Sequence, residues 1–513
     1  MISCRSSGLP KRVLLIGGVH HLQIHLGMLR GYLLYRSPLL KKRGKDCLVT
    51  KAGKDSNTSP PSYPLPFHIL EEEKFFILVQ KERPSWVVTN EVGKEIAIRY
   101  YLKDSRQEIA QYLRSRFKTS ENVDKDIQEF IQNLQRTGFA GEARSSESPE
   151  LLNRFKGILF LVTQACNISC HHCSLGDIAS VSRKISKEVF CRIVDESTAR
   201  GGTSVLISGG EPLVRPDIFD LIQYAAQSQR VSLLTNGTLI GKEEAQKLKQ
   251  AGVAEIVLSL DGASPEAHDQ LRGKGNFRRV MRGIEFLREE GLEERINLNY
   301  CLTKFNIGEA LDFLRFVEEI GLKKVSFLPV KKVGRASGSW EDLRPKREAY
   351  EDFILALYDM FFAPDFSLRV NIPLSGFHPV IRPGERVSTC PFGTQLIVNG
   401  EGDIYTCPAL FIPDFRLGNV SNTSISKALN SMKLVGLREK YRARLEKIAR
   451  CRSCVWRVFC QGGCTSTVYL EKGTFWDTDD FCEFRDRLYR RAILTAAERK
   501  AGKEGMHAGI CSV

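Results

Sequence analysis

Residues 157–173 read GILFLVTQACNISCHHC. The first seven, Gly157–Thr163, form an apolar run that predicts a strand buried on both faces. Cys166, Cys170 and Cys173 follow directly, spaced C-x3-C-x2-C. The same strand character recurs in Ser204–Ser208, Val231–Thr235, Glu255–Leu260, Arg295–Leu302 and Lys324–Pro329. Lys187–Arg200, Asp217–Gln227, Lys242–Ala251, Phe277–Glu290 and Ile307–Ile320 read as helices between them. Strands alternating with helices of about 10–15 residues make βαβ units and a parallel sheet. The fold class is therefore α/β, with residues 151–340 as a partial (β/α)6 TIM-like barrel. Barrel chemistry sits on loops at the C-terminal ends of strands, which is where the three cysteines fall.

Three thiolates on one tight loop can serve three irons of a cubane 4Fe–4S cluster and leave the fourth iron without a protein ligand. The competing reading is a structural zinc, with His171 or His172 as its fourth ligand. After the second strand comes Ser208-Gly209-Gly210-Glu211-Pro212. Its glycines let backbone approach a ligand closely, and carbonyls there can accept hydrogen bonds from an ammonium group. Thr235-Asn236-Gly237-Thr238 follows the third strand, Ser259-Leu260-Asp261-Gly262 the fourth, and Arg272 comes soon after.

Together these motifs resemble the radical S-adenosylmethionine (radical SAM) superfamily over roughly Gly157–Pro329. The resemblance implies that Cys166, Cys170 and Cys173 hold a 4Fe–4S cluster whose open iron binds the amino and carboxylate groups of SAM. It places Gly209, Gly210, Glu211 and Pro212 at the methionyl end. Asn236, Ser259, Asp261 and Arg272 would contact SAM, with Ser259 and Asp261 at ribose hydroxyls and Arg272 at the carboxylate. His172 stands where the family usually has an aromatic residue. Lys331–Ala336, after the sixth strand, would lie near adenine or substrate.

A second cysteine set runs Cys390-x11-Gly402-x4-Cys407, then Cys451-x2-Cys454-x5-Cys460-x3-Cys464, then Cys482. Zinc ribbons are the competing reading. The order resembles the SPASM extension of radical SAM peptide-modifying enzymes. That resemblance implies two auxiliary iron–sulfur clusters of 4Fe–4S type, one on Cys451, Cys454, Cys460 and Cys482, the other on Cys390, Cys407 and Cys464. Three such clusters contain twelve irons, and SAM occupies one; the motifs supply ten thiolates for the remaining eleven. Many relatives have a further cysteine within the stretch equivalent to Pro391–Leu396, which here has none. Cys301, Cys511 or a non-cysteine group could fill the gap, or that iron is open to a peptide thiolate or heteroatom.

Ahead of the barrel, residues 70–140 form a small α+β unit. Phe75–Gln80 and Ser85–Thr89 read as strands, and Glu91–Leu102, Arg106–Phe117 and Val123–Thr137 as helices. Asp104 and Asn122 stand where N-caps belong, and Gly138 where a helix stops. A winged helix is the plain description. Its last helix opens acidic, with Asp124, Asp126 and Glu129, which argues against DNA. The order resembles the peptide-recognition element of ribosomal-peptide maturases, whose stand-alone relative is the chaperone-like protein of pyrroloquinoline quinone biosynthesis. The resemblance implies capture of a leader peptide by strand addition.

Residues 1–69 read as a basic extension and linker, 375–490 as the cysteine-rich domain and 491–513 as a tail. The 513 residues suit two to four domains. Hydrophobic residues at 42% and charged residues at 26% exclude a fully disordered, collagen-like or membrane-embedded chain. The net charge of +15 is concentrated in residues 1–56, where eleven basic and two acidic side chains stand. Only +6 is left for the other 457 residues, so no phosphate-wrapping face is expected and no nucleic-acid partner. Val13–Leu34 is broken by His20, His21, His25 and Arg30, which rules against a membrane span. The expected compartment is the cytoplasm, where clustered cysteines are metal ligands more often than disulfides.

These expectations combine into a radical SAM oxidoreductase that reductively cleaves SAM to a 5′-deoxyadenosyl radical and crosslinks a ribosomally made precursor peptide, by a thioether or carbon–carbon bond. Its partners would be the precursor peptide, through its leader, and a low-potential electron donor, flavodoxin or ferredoxin. The alternatives are a radical SAM enzyme of cofactor or tetrapyrrole biosynthesis and a non-catalytic iron–sulfur or zinc scaffold.

Overall fold

The structure, a computed structural model, describes residues 65–73, 75–119, 121–141, 155–176, 183–361, 363, 366–372 and 393–503, together with the antiparallel pair Tyr35–Ser37 and Ile510–Ser512. Strands β1 (Phe67–Glu71), β2 (Phe76–Gln80) and β3 (Trp86–Thr89) form an antiparallel sheet in that order. Side chains alternate between its faces, as a pleated strand requires. Leu78 and Val87 join Ile96, Ile109, Leu113, Ile127 and Phe130 in a core with the helices Glu91–Tyr101, Arg106–Arg116 and Val123–Arg136. Ile77, Val79, Trp86 and Val88 point the other way, into the main core of the protein. The front unit is therefore clamped on both faces.

Two details differ from the sequence reading. β1 crosses the expected boundary at 69/70; Pro64 and Pro66 just before it make the stretch look like linker, and an edge strand needs little apolar sequence. The second helix is capped by Ser105, in a capping box with Glu108. Asp104 instead pairs with Arg99 at 2.7 Å.

The barrel follows the expected alternation. β4 (Gly157–Leu161), β5 (Ser204–Ser208), β6 (Arg230–Thr235), β7 (Glu255–Ser259), β8 (Ile296–Leu302) and β9 (Lys324–Pro329) are parallel neighbours. The helix Pro265–Arg272 was not expected, although Ser264 caps it and Pro265 starts it; eight residues are too few to show a clear period. The sheet continues past six strands. β10 (Arg369–Asn371) pairs parallel with β9, and β11 (Gln395–Val398) pairs parallel with β4, placing Ile397 opposite Leu159. β12 (Asp403–Tyr405) and β13 (Gly418–Asn419) extend that edge antiparallel. The cysteine-rich region thus begins as a continuation of the barrel sheet.

Its last helix, Cys482–Lys503, runs straight through the expected boundary at 490/491. Phe484, Leu488, Tyr489, Ala492, Ile493 and Ala497 lie in the main core, so these residues are no tail. Arg490 Nη1 reaches Glu72 of the front unit at 2.8 Å. Among the described residues no helix is long and apolar enough to cross a membrane; Val13–Leu34 lies outside them. Ile493→Ala is expected to lower stability by about 2–5 kcal/mol, the usual cost of a cavity in a packed core. Arg491→Ala, which removes an exposed pair with Asp359, should cost under about 1 kcal/mol. Denaturation midpoints of the two variants check the contrast.

Candidate active site

The cysteine loop leaves the C-terminal end of β4, and the Gly209–Gly210 turn is pressed against it. Gly210 N donates to Thr163 O and Glu211 N to Ala165 O, each at 2.8 Å. Gly209 has φ 146°, and a Cβ on it would lie 2.3 Å from Thr163 O. A Cβ on Gly210 would lie 2.2 Å from Ala165 O. Only glycines let these backbones meet. The carbonyls of Gly209 and Gly210 receive no hydrogen bond from the described residues.

Glu211 is turned inward rather than toward a ligand. Oε1 accepts from Thr235 Oγ1 at 2.7 Å and Leu213 N at 3.0 Å, and Oε2 accepts from Asn236 N at 2.7 Å. Burial pushes its carboxyl up while those donors pull it back. It braces the loop after β5 to the loop after β6, and buried Pro212 starts the short turn beside it. Asn236 Nδ2 donates to Asn167 Oδ1 at 2.9 Å and lies 3.8 Å from Cys166 Sγ. Ser259, at the end of β7, is half-buried.

Asp261 is fully buried. Oδ2 accepts from Arg272 Nε at 2.5 Å and lies 3.2 Å from His172 Nε2; Oδ1 accepts from Cys301 N at 2.7 Å. Burial would raise its carboxyl, but Arg272 and His172 hold it well below the usual carboxylate range. With both oxygens engaged and no exposure, Asp261 cannot make the expected ribose contact. The carboxylate that Arg272 meets is likewise Asp261's, while its Nη1 donates to Cys170 Sγ at 3.8 Å. Sequence reading missed His268, pushed down by burial to about 4, whose Nδ1 accepts from Asp261 N at 3.1 Å.

Among the described residues, Cys451, Cys454, Cys460 and Cys482 lie close enough to influence one another. Burial and the mutual repulsion of Cys451, Cys454, Cys460 and Cys482 push Cys451 up to about 12 and Cys454 to about 11. Cys407 and Cys464 lie close enough to influence each other; Cys390 lies outside the described residues. Burial alone would raise Cys464, but Lys331 and hydrogen bonds from Ser466 and Thr467 bring it to about 6. Cys301 is not part of either set. It is half-buried on β8 near Asp261, Arg272 and Cys170, beside the barrel's cysteine loop rather than the second cysteine set. The side chain of Cys511 lies outside the description. In Lys331–Ala336, the Lys331 ammonium meets Cys464 Sγ, and Arg335 N donates to Cys173 O at 2.9 Å.

The residues suit the groups implied. Among the described residues no three His, Cys, Asp or Glu side chains converge on the single point that one metal ion needs; the irons of a cubane each take a separate thiolate. Among the described residues, buried Gln164 Oε1 and His172 Nδ1, on the cysteine loop, have no hydrogen-bond partner. Together with the open glycine carbonyls they leave polar groups for a bound molecule beside the three thiols. A cleft between the end of β9 and the helix Thr465–Lys472 is lined by Lys331, Trp340, Arg344, Tyr350, Cys464 and Glu471.

Comparison with known proteins agrees. The Radical SAM superfamily profile matches residues 160–317, and the SPASM iron–sulfur cluster-binding domain matches 390–455. The chain is similar to the mycofactocin maturase MftC of Mycobacterium ulcerans, 30% identical over 321 residues, covering 60% of this chain and 82% of that protein. It is also similar to the AdoMet-dependent heme synthase of Nitratidesulfovibrio vulgaris, 27% identical, covering 65% of this chain and 93% of that protein. Streptococcus suis SuiB, solved bound to precursor peptide SuiA, shares the fold with a TM-score of 0.51 at 17% identity, over 82% of this chain and 98% of that one.

Two outcomes follow from the packing. Gly210→Ala forces the backbone at Gln164 and Ala165 to move, so iron content should fall by about a third with the auxiliary signals retained; metal analysis with electron paramagnetic resonance checks this. Arg272→Met takes the guanidinium away from the buried Asp261 carboxylate and should cost about 3–5 kcal/mol in a denaturation measurement.

Proposed function

The chain belongs to the radical SAM superfamily, and we propose that it is a maturase that crosslinks a ribosomally made precursor peptide through a thioether or carbon–carbon bond. It is an enzyme that binds SAM and a 4Fe–4S cluster, and its SPASM domain binds auxiliary iron–sulfur clusters. Reduced cluster and SAM together supply a 5′-deoxyadenosyl radical able to take hydrogen from an unactivated C–H bond.

In this reading Cys166, Cys170 and Cys173 hold the SAM cluster, and the carbonyls of Gly209 and Gly210 orient the methionyl amino group. Ser259 is the side chain left to reach the ribose. Glu211, Asp261 and Arg272 act behind them by fixing the loops. Cys451, Cys454, Cys460 and Cys482 hold one auxiliary cluster; Cys390, Cys407 and Cys464 hold the other. The barrel positions the reacting groups and excludes water.

The observation that carries the peptide reading is the edge of the front sheet. Among the described residues β1 pairs only with β2, and its Ile69 is 37% exposed on that edge. Both faces of the sheet are already covered, so an extended leader would add as a fourth strand along β1. The maturase name of the MftC relative points the same way. A flavodoxin or ferredoxin would deliver the electron.

Tetrapyrrole chemistry is the second reading, favoured by the heme synthase relative that the chain covers almost end to end. One experiment separates the two. Reduced, cluster-loaded enzyme is given SAM with either a candidate short precursor peptide or a porphyrin substrate. The expected result is loss of two hydrogens per link from the peptide by mass spectrometry. Ile69→Asp should weaken leader binding roughly tenfold or more while peptide-independent SAM cleavage persists. Turnover of the porphyrin with an unmodified peptide would overturn the peptide reading.

A further inference from the structure

The loop leaving β9 touches two iron–sulfur sites within five residues, Lys331 to Arg335. At its start the Lys331 ammonium lies 3.5 Å from Cys464 Sγ and 3.0 Å from Ser466 Oγ. Ser466 Oγ is in turn 3.2 Å from the same sulfur. At its end Gly334, with φ 57°, lies flat on the SAM-cluster loop: a Cβ there would be 2.4 Å from Ser174 O and 2.5 Å from Cys173 O. Arg335 then donates its backbone N–H to Cys173 O at 2.9 Å and its Nη1 to Cys170 O at 2.5 Å. Even fully extended, the four peptide steps from Lys331 to Arg335 span at most roughly 14 Å. The same short piece of chain therefore fixes a ligand-bearing helix on one side and a ligand-bearing loop on the other.

The two ends do different things. Arg335 binds carbonyl oxygens and so sets the position of the cysteine loop. Lys331 binds a sulfur and brings a positive charge, since lysine is a cation at neutral pH. Iron–sulfur potentials respond to net charge, to hydrogen bonds on the sulfurs and to exposure. Reduction adds negative charge to a cluster that is already anionic, so a cation held against one of its thiolates favours the reduced form. The helix Thr465–Lys472 begins directly after Cys464, and its Ser466 keeps the ammonium in place.

We propose that Lys331 is a positioning residue that raises the reduction potential of the auxiliary cluster bound through Cys464, and that the Lys331–Arg335 span holds this cluster in fixed register with the SAM-binding cluster. This rests on the reading of Cys464 as a cluster ligand.

The test is a redox titration followed by electron paramagnetic resonance on full-length, anaerobically loaded protein, with iron and sulfide counted in each sample. Lys331→Met should move the potential of one auxiliary cluster to more negative values and leave the other two clusters in place. Lys331→Arg, which keeps the charge, should restore it. Cys464→Ser should abolish the signal that Lys331→Met shifts. An unshifted potential in fully loaded Lys331→Met overturns the tuning role, as does a Lys331→Arg protein that titrates like Lys331→Met. If Lys331→Met fails to hold its cluster, Lys331→Gln is titrated in its place and judged by the same outcomes. Full iron content and unchanged signals in Cys464→Ser would instead sink the ligand reading beneath the proposal.

Discussion

A carboxylate without access to water holds the candidate site together. Asp261 comes from the end of β7, and its partners come from three other places: Arg272 from the short helix after it, Cys301 N from β8 and His172 from the cysteine loop. A buried charge is tolerated only when it is paired and hydrogen-bonded on all sides. The requirement couples elements that are far apart in sequence. The loop carrying Cys170 is tied to the barrel twice over, through His172 and through the Arg272 contact to Cys170 Sγ. Glu211 does the same work one layer away, linking the loops after β5 and β6. Two acids that could have faced a ligand are spent on making the loops rigid, and rigidity is what a site that generates a radical needs from its scaffold.

The three units of the chain share more than linkers. β11 of the cysteine-rich region is hydrogen-bonded to β4, the strand that delivers the cysteine loop, so the two regions are parts of one sheet. The front sheet contributes Ile77, Val79, Trp86 and Val88 to the same core as Leu488 and Ile493. Its hairpin reaches Arg490 through Glu72. Arg490 also contacts Asp486 at 3.1 Å, and Asp486 accepts from the Trp456 indole at 2.6 Å. Trp456 N in turn donates to Cys454 Sγ at 3.4 Å. A continuous set of contacts thus runs from the front sheet to an auxiliary thiol.

Much of this was legible in the sequence, for physical reasons. The barrel strands are short, apolar and regularly spaced, because strands buried on both faces have no polar alternative. The cysteine spacings were legible because ligands must come from tight turns. What could not be read was direction. Glu211, Asp261 and Arg272 are polar residues at strand ends, and from sequence alone they face a ligand as readily as they face one another. Gly209 and Gly210 permit the close approach of the loop after β5 to the cysteine loop, and the acids find their donors on neighbouring loops and strands. β1 was hidden for a different reason: an edge strand is specified by its partner, and Pro64 and Pro66 mark the stretch as linker. The last helix was cut short because its many charges mask the stripe of Phe484, Leu488 and Ala492.

The division of the front sheet explains why its edge is the surface that matters. A strand offers two faces and two edges. One face is filled by the unit's own helices and the other by the helix Cys482–Lys503 and its neighbours. β3 is held against that helix, so among the described residues β1 carries the edge open to strand addition. There Phe67 is anchored in the inner core while Ile69 stands open. A ligand that pairs with β1 runs beside Glu72, and Glu72 is the residue through which the sheet grips the helix that begins at Cys482. The front sheet and the helix that begins at Cys482 are therefore parts of one packed unit, and a chain added along β1 would be tied to that helix without a flexible joint between them.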